Sequence, residues 1–395
     1  MPTEEQMTVN ERRKYLKRMK PRYGVASRAE RSHLLSEMEQ VTGLHRKHLT
    51  RLLNAASLER HPREKQRQRA YGAEVEQVIL TVWESLDYLC AERLTPSLLL
   101  TARHLARFGV VQMSPVLEEQ LSQISRATVA RLLRKHRGVQ RRLPRKGPER
   151  ANQASKGVPM KRIPWETADP GHFEVDLVHQ CGEGTSGEYG HTLQMVDVAT
   201  GWSERVMVLG RGQQVMEAGF RHILQRLPFE IKELHPDNGS EFFNHHLVRF
   251  WKDKVKGVTL SRSRPYHKND NRIVEQKNDS LVRQYLGYGR LDTPKQIQDA
   301  NALYEQMWLY YNLFQPVLHL VEKELREDHV RRHWDRAQTP YERLKATNVL
   351  TPEQAQRLQA LYEQTNPLAL REDIYRRLAA LWESQSHPSP EAEVA

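Results

Sequence analysis

The chain has 395 residues, a formal net charge of +12 and only two cysteines, Cys90 and Cys181. That excludes a disulfide-stapled miniprotein and a cysteine-based structural zinc site, and leaves room for two or three domains with separate hydrophobic cores. No apolar run approaches the roughly 20 residues that span a bilayer, and the first residues are charged where a secretion signal has an apolar core, so the sequence reads as cytoplasmic, with no membrane partner. The charge is uneven: residues 1–164 carry 33 basic and 16 acidic side chains, and residues 165–395 carry 28 and 33. A basic half that also reads as compact helices fits a polyanion partner, because Lys and Arg displace the counterions condensed on nucleic acid.

In chain order, residues 11–23 read as a basic helix that Gly24 breaks. Ser27 with Glu30 forms a capping box for the next helix, whose apolar stripe is Leu34, Leu35, Met38 and Val41. Thr42-Gly43 ends it, and a third helix follows with Leu49, Leu52 and Leu53 inward and Arg46, Lys47, His48 and Arg51 outward. Helix, glycine-containing turn and helix make a helix-turn-helix pattern. His45 and His48 lack nearby acidic or cysteine partners and read as solvated or facing a polyanion. The third helix recurs 80 residues later: Arg126 and Arg131 match Arg46 and Arg51, Thr128 matches His48, and Val129, Leu132 and Leu133 match the three leucines. Residues 73–90 and 96–108 read as helices of this second bundle. Residues 137–163 hold nine basic side chains, among them Arg141, Arg142, Arg145 and Lys146, and one acid, Glu149. With their prolines and glycines they read as a basic linker.

From Trp165 the period changes from helical to alternating. Phe173, Val175 and Leu177 alternate with Glu174, Asp176 and Val178, then come a glycine-rich loop, a strand at 193–198, a turn at 199–201 and a strand at 202–209. A helix is expected at about 213–226. A short strand at 231–234 then leads to Asp237, with Asn238-Gly239 as a turn and Ser240 capping a helix from Glu241 to Trp251. After a strand at 258–261, Asn269-Asp270 caps a helix running to about Gly287, with Glu275 near its start and Val274, Leu281, Val282 and Tyr285 as its stripe. An aromatic-rich helix spans 295–312, further helices begin at Pro352 and Pro367, and the last residues are polar.

Asp176, Asp237 and Glu275 are spaced by 61 and 38 residues. The segments Phe173-Glu174-Val175-Asp176, Asp237-Asn238-Gly239-Ser240-Glu241-Phe242 and Arg264-Pro265-Tyr266-His267-Lys268-Asn269-Asp270 through Val274-Glu275-Gln276-Lys277-Asn278 closely resemble the DDE transposases of bacterial insertion sequences, whose catalytic core is like that of retroviral integrases. Asn312 to Pro316 and Thr339 to Leu344 resemble downstream segments of that family. The resemblance implies an RNase H-like α/β core, a five-stranded mixed sheet with flanking helices, preceded by all-α helix-turn-helix domains and followed by a helical C-terminal region. The boundaries read as 1–56 and 71–137 for two DNA-binding modules, 138–164 for the linker, 165–320 for the core, 321–384 for the helical region and 385–395 for a disordered tail.

By the same resemblance Asp176 bridges two Mg2+ ions, which Mn2+ replaces, with Asp237 on one and Glu275 on the other. The implied partners are double-stranded DNA, namely terminal inverted repeats and target DNA, and further copies of the chain in at least a dimer on nucleoid-associated bacterial DNA. The chemistry agrees, since in-line displacement at a phosphodiester is served by two cations held by carboxylates from separate elements. Asp279, one turn after Glu275, is the strongest rival ligand; Asp270 reads as a cap, and Glu174 and Asp197 as surface or fold residues. The family often has a basic residue seven after the glutamate, where this chain has Val282. In a regular helix Arg283 lies about 100° further round and Lys277 on nearly the opposite side, so Lys268, Lys277 and Arg283 are the candidate DNA-end contacts. A DNA-binding regulator without catalysis and a nuclease without strand transfer are the competing readings.

Overall fold

The computed structural model describes residues 7–58, 71–136, 169–236, 250–251, 253–255, 257–261, 272–326 and 329–386. The chain forms two compact units, Met1–Ala70 and Tyr71–Ala395.

The first unit is built from α1 (Val9–Val25), α2 (Arg28–Thr42) and α3 (Arg46–Asn54). Its local chemistry explains its boundaries. Thr8 with Glu11 and Ser27 with Glu30 form reciprocal capping boxes, and Gly43 ends α2 in the left-handed conformation at φ 65°. Leu16, Leu34, Leu35, Met38, Leu49 and Leu53 make a small apolar core. Because Leu49 and Leu53 face inward, Lys47 and Arg51 are left exposed on α3.

The second unit opens with α4 (Ala73–Ser85), α5 (Ala91–Ala106), α6 (Pro115–Gln123) and α7 (Arg126–Arg134). The 73–90 helix expected from sequence stops at Ser85, where Asp87 and Tyr88 take positive φ and Trp83 Nε1 donates to the Leu89 carbonyl at 2.7 Å, folding the chain back. The next helix starts five residues before Pro96. Pro96 withholds one ladder bond, and burial of Ala91, Leu94 and Leu98 on one face holds the preceding turn. Helix α6 was not expected, although Ser114 as N-cap and Pro115 at the first helical position are a start signal.

Strands β1 (His172–Gln180), β2 (Gly190–Asp197), β3 (Ser203–Leu209), β4 (Glu233–Pro236) and β5 (Thr259–Leu260) form one sheet in the order β3-β2-β1-β4-β5. The first three pair antiparallel, and β4 and β5 add in parallel. A three-stranded meander extended by parallel strands beside its first member is the RNase H-like arrangement. Helix α8 (Gln213–Arg226) covers one face, where Gly219 lies so close to Val206 and Val208 that a Cβ would sit 3.2 Å from the nearer.

The other elements are α9, which begins as Arg272–Lys277, winds as a π-helix over Asn278–Arg283 and ends as Gln284–Leu286, and α10 (Pro294–Leu309), which continues as a π-turn over Tyr310–Phe314. Helix α10 protects the sheet edge in an unusual way. Asn301 exchanges hydrogen bonds with both backbone groups of Met207 at 2.7 and 2.8 Å, and Asn312 does the same for Ser203 at 2.9 and 3.0 Å, so two side-chain amides act as the missing neighbour strand of β3.

The region expected to be helical from 321 opens instead with a hairpin, β6 (Leu320–Arg326) and β7 (His329–Trp334). Its residues carry no 3.6-residue apolar stripe, and its register sets Glu324 opposite Arg331, a cross-strand charge pairing that a helix would not make. Helices α11 (Pro340–Ala346), α12 (Pro352–Gln364) and α13 (Pro367–Ser386) follow. Asp87 accepts hydrogen bonds from Arg371 and Tyr375 of α13, and Tyr310 donates to the Ser85 carbonyl, so α4–α7 share one core with the sheet.

Candidate active site

Alternation along β1 puts Glu174, Asp176, Val178 and Gln180 on one face of the sheet, opposite Phe173, Val175 and Leu177. Helix α9 lies along that face in the same direction as β1. Three contacts fasten it. The Val274 amide donates to Glu174 Oε2 at 2.8 Å, Asn278 Nδ2 to Asp176 Oδ2 at 2.6 Å, and Arg283 to the His179 carbonyl at 2.8 Å and Gln180 Oε1 at 2.9 Å. Glu275 is exposed, next to the residue that Glu174 holds and one helical turn before the residue that grips Asp176. Asp176 is half-buried, and its Oδ1 accepts from the Leu177 amide at 2.8 Å.

The π-helical segment changes the expected azimuths. Its i to i+5 bonding admits one extra residue per turn, so the residue eight on from Glu275, Arg283, takes nearly the place that the seventh would have in a regular α-helix. The 100° offset expected for Arg283 is thereby removed, and the fully buried Val282 turns into the core. Arg283 is half-buried, stacks on Tyr288 at 4.6 Å and grips β1; burial lowers its pKa from the ordinary value. Lys277 points elsewhere, its Nζ 5.1 Å from the Tyr311 ring. Asp279 is exposed and accepts from Gln284 at 3.3 Å.

The β1–β4 pairing ends at Val175 opposite Pro236, the residues that precede Asp176 and Asp237. Asp237 and Lys268 lie outside the described residues, as do Arg141, Arg142, Arg145 and Lys146 of the linker and Asp270. Among the described residues no group of three or more His, Cys, Asp or Glu converges to hold a metal. The acids in place there, Asp176 and Glu275, offer the hard oxygen donors that Mg2+ and Mn2+ take.

Glu174 and Asp197, read from sequence as surface or fold residues, are both fully buried. Asp197 accepts from Gly171 N, Thr200 N and Thr200 Oγ1, which closes the turn between β2 and β3. Burial pushes the Glu174 carboxyl up to about 7, opposed by the Val274 and Ile273 amides and by Arg272, while Glu275 adds to the rise. Beyond Asp176, its cross-strand partner Gln194 faces Arg205 of β3, a fully buried guanidinium 5.8 and 5.9 Å from the Tyr304 and Tyr311 rings. Sequence reading passed over Asn278 and Glu174 as contributors to the site. Their spacing, three residues after Glu275 and two before Asp176, was the available signal.

On α3, Lys47 and Arg51 are exposed, Arg51 lies 3.0 Å from His48 Nδ1, and Arg46 is turned back to Ser36 and Ser32 at 2.9 and 2.5 Å. On α7, Arg126 and Arg131 are exposed, with Arg126 3.9 Å from Glu92, and Thr128 meets its N-cap Ser125 at 3.0 Å.

No protein-family model matches the sequence. The chain is 36% identical over 303 residues to the uncharacterized protein y4rM of Sinorhizobium fredii (strain NBRC 101917 / NGR234), over 76% of this chain and 86% of that protein. It belongs to the y4rM family. Among solved structures it is similar to the catalytic core domain of BIV integrase, with 18% identity, a TM-score of 0.29 and coverage of 45% of this chain and 95% of that one. It is also similar to a chain of the simian T-cell lymphotropic virus intasome in complex with PP2A regulatory subunit B56 gamma, with 14% identity, a TM-score of 0.33 and coverage of 54% and 69%. The order of the strands, rather than these likenesses, carries the assignment of the fold. Among the described residues no helix is long and apolar enough to cross a membrane.

Proposed function

We propose that this member of the y4rM family is a DNA transposase, a polynucleotidyl transferase that cuts the ends of a mobile element and joins them to target DNA. The observation that carries the reading is the pairing of motif with geometry. The helix bearing Glu275 is tied to Asp176 through Asn278, and β4 runs beside β1 into the Asp-Asn-Gly-Ser-Glu-Phe segment. Asp176, Asp237 and Glu275 would hold two Mg2+ ions, or Mn2+ in their place, which when bound supply Lewis acidity at the scissile phosphate. Asp176 would be the acid common to both ions, and Asn278 fixes the direction of its carboxylate. Recognition of the terminal inverted repeats belongs to α3 and α7, with Lys47, His48, Arg51, Arg126, Thr128 and Arg131 toward DNA and Arg46 held back by its two serines. The linker basic residues and Lys268 supply phosphate contacts, and joining two ends calls for at least a dimer.

The test is incubation of the full chain with Mg2+ and DNA carrying the element's ends. Joined products support the transposase, cleavage alone a nuclease, and binding alone a regulator. Asp237→Asn is expected to cut product formation about a thousandfold or more while DNA binding persists. A variant that keeps joining ends would remove Asp237 from the site. Lys47→Ala combined with Arg51→Ala is expected to weaken DNA binding and to flatten the dependence of log affinity on log salt by about two charges. An unchanged slope would take α3 off the DNA.

A further inference from the structure

The acids of the site come from different elements, so their mutual placement depends on what holds α9 against β1. Helix amides in the first turn have no partner within the helix. In α9 one of them, that of Val274, is satisfied by a carboxylate from another element: Glu174 Oε2 at 2.8 Å, from a residue 100 positions earlier and fully buried. The Ile273 amide also favours the charged form of the same carboxylate. A second tie is the Asn278 bond to Asp176 at 2.6 Å. The spacings of the two ties agree. Two residues of strand advance about 6.6 Å and four residues of helix about 6 Å, so Glu174 and Asp176 meet Val274 and Asn278 without either element bending. Glu275 lies between the two ties. Arg283, brought round by the π-turn, makes the third at His179 and Gln180.

We propose that Glu174 is a positioning residue that caps α9 from β1 and so sets Glu275 at the distance from Asp176 that a shared divalent cation needs. This rests on the reading of Glu275 as a metal ligand. Glu174 touches neither substrate nor metal in this scheme; it acts through the Val274 amide. Its side chain is matched in size by glutamine, which keeps an acceptor oxygen, and by methionine, which does not.

The experiment compares the full-length wild type, Glu174→Gln, Glu174→Met and Glu275→Gln. Mn2+ alone is the probe, with its affinity measured by electron paramagnetic resonance titration and amide exchange followed by mass spectrometry. Glu174→Met is expected to speed exchange in peptides covering 272–277 about tenfold and to weaken Mn2+ about tenfold, the scale of lost support around a metal ligand. Peptides from α4 and α5 keep wild-type exchange, which separates the effect from general loosening. Glu174→Gln is expected to stay within about threefold of wild type in both measurements. Faster exchange in Glu174→Met with unchanged Mn2+ affinity overturns the proposal, as does equal behaviour of the Gln and Met variants. Glu275→Gln should weaken Mn2+ and leave exchange at 272–277 unaltered. If it leaves Mn2+ binding unchanged, the assignment of Glu275 as a ligand fails, whatever the Glu174 variants do.

Discussion

The N-terminal unit and the sheet-bearing unit differ in how far along the chain their polar groups reach for partners. In α1–α3 the helix caps are closed by neighbours, Thr8 with Glu11 and Ser27 with Glu30, each three residues apart, and Lys20 reaches the Ala55 and Ala56 carbonyls across 35 and 36 residues, around an interior that is mostly apolar. In the core, besides local caps such as that of Asp197 on Thr200, several partners are about a hundred residues apart. Val274 meets Glu174 across 100 residues, Asn301 meets Met207 across 94, Asn312 meets Ser203 across 109 and Trp308 meets Glu204 across 104. Local bonding leaves the surface of the first unit free to carry exposed charge. Long-range bonding ties together elements distant in the chain, at the cost of burying groups that tolerate no loss of a partner.

The contrast is broken most severely at Glu204. It is fully buried and accepts from Trp202 and Trp308 at 2.8 and 2.7 Å and from Arg226 at 2.7 Å. Glu204→Ala leaves the buried indole N–H groups of Trp202 and Trp308 without an acceptor and takes one of two carboxylates from Arg226, which keeps Glu305, and is expected to cost about 3–4 kcal/mol in urea unfolding. A loss under about 1 kcal/mol would show that the core does not depend on its distant partners.

The next effect is one of pH. His191 on β2 is buried beside His179 and Tyr189, and burial first, with His179 and Arg211 adding, pushes its pKa down from 6.5 to about 4. Between those values the unfolded chain binds the proton and the folded chain does not. The stability is therefore fully present above pH 6.5 and is lost as pH falls to 4, an effect of about 3 kcal/mol. His191→Gln should flatten the dependence of the urea midpoint on pH in that window; an unaltered slope assigns the loss to other groups.

The smallest effect lies in the first unit. Ser27→Ala removes a cap that the Glu30 amide uses and is expected to cost that unit about 1 kcal/mol, read from its own unfolding transition. A cost as large as that at Glu204 would erase the distinction between local and distant bonding.

Much of this was legible in the residues. The Ser27–Glu30 capping box, the glycine stop at Gly43, the alternation from Phe173 to Val178 and the turn at 199–201 all operate within a few positions, and the elements stand where those signals put them. Asp176 and Glu275 were visible as candidates because each shares a segment with a family pattern. What was missed had its cause elsewhere in the chain. The hairpin at 320–334 depends on strand pairing, and the end of α4 at Ser85 on a tryptophan bonded to a carbonyl beyond the helix. The buried state of Glu174 follows from a helix 100 residues later.

By itself, then, the sequence determined those helices and strands whose start and stop signals are local, the basic and acidic halves, and which acids are candidates for metal. Only the tertiary structure decided that α9 winds as a π-helix after Asn278, that Arg283 rather than Val282 shares the azimuth of Glu275, and that Glu174 holds the helix in place. The physical reason is range. A cap or an alternation is bonded within about four residues and is written in the local pattern, whereas winding and burial answer to side chains that meet only after the sheet has formed.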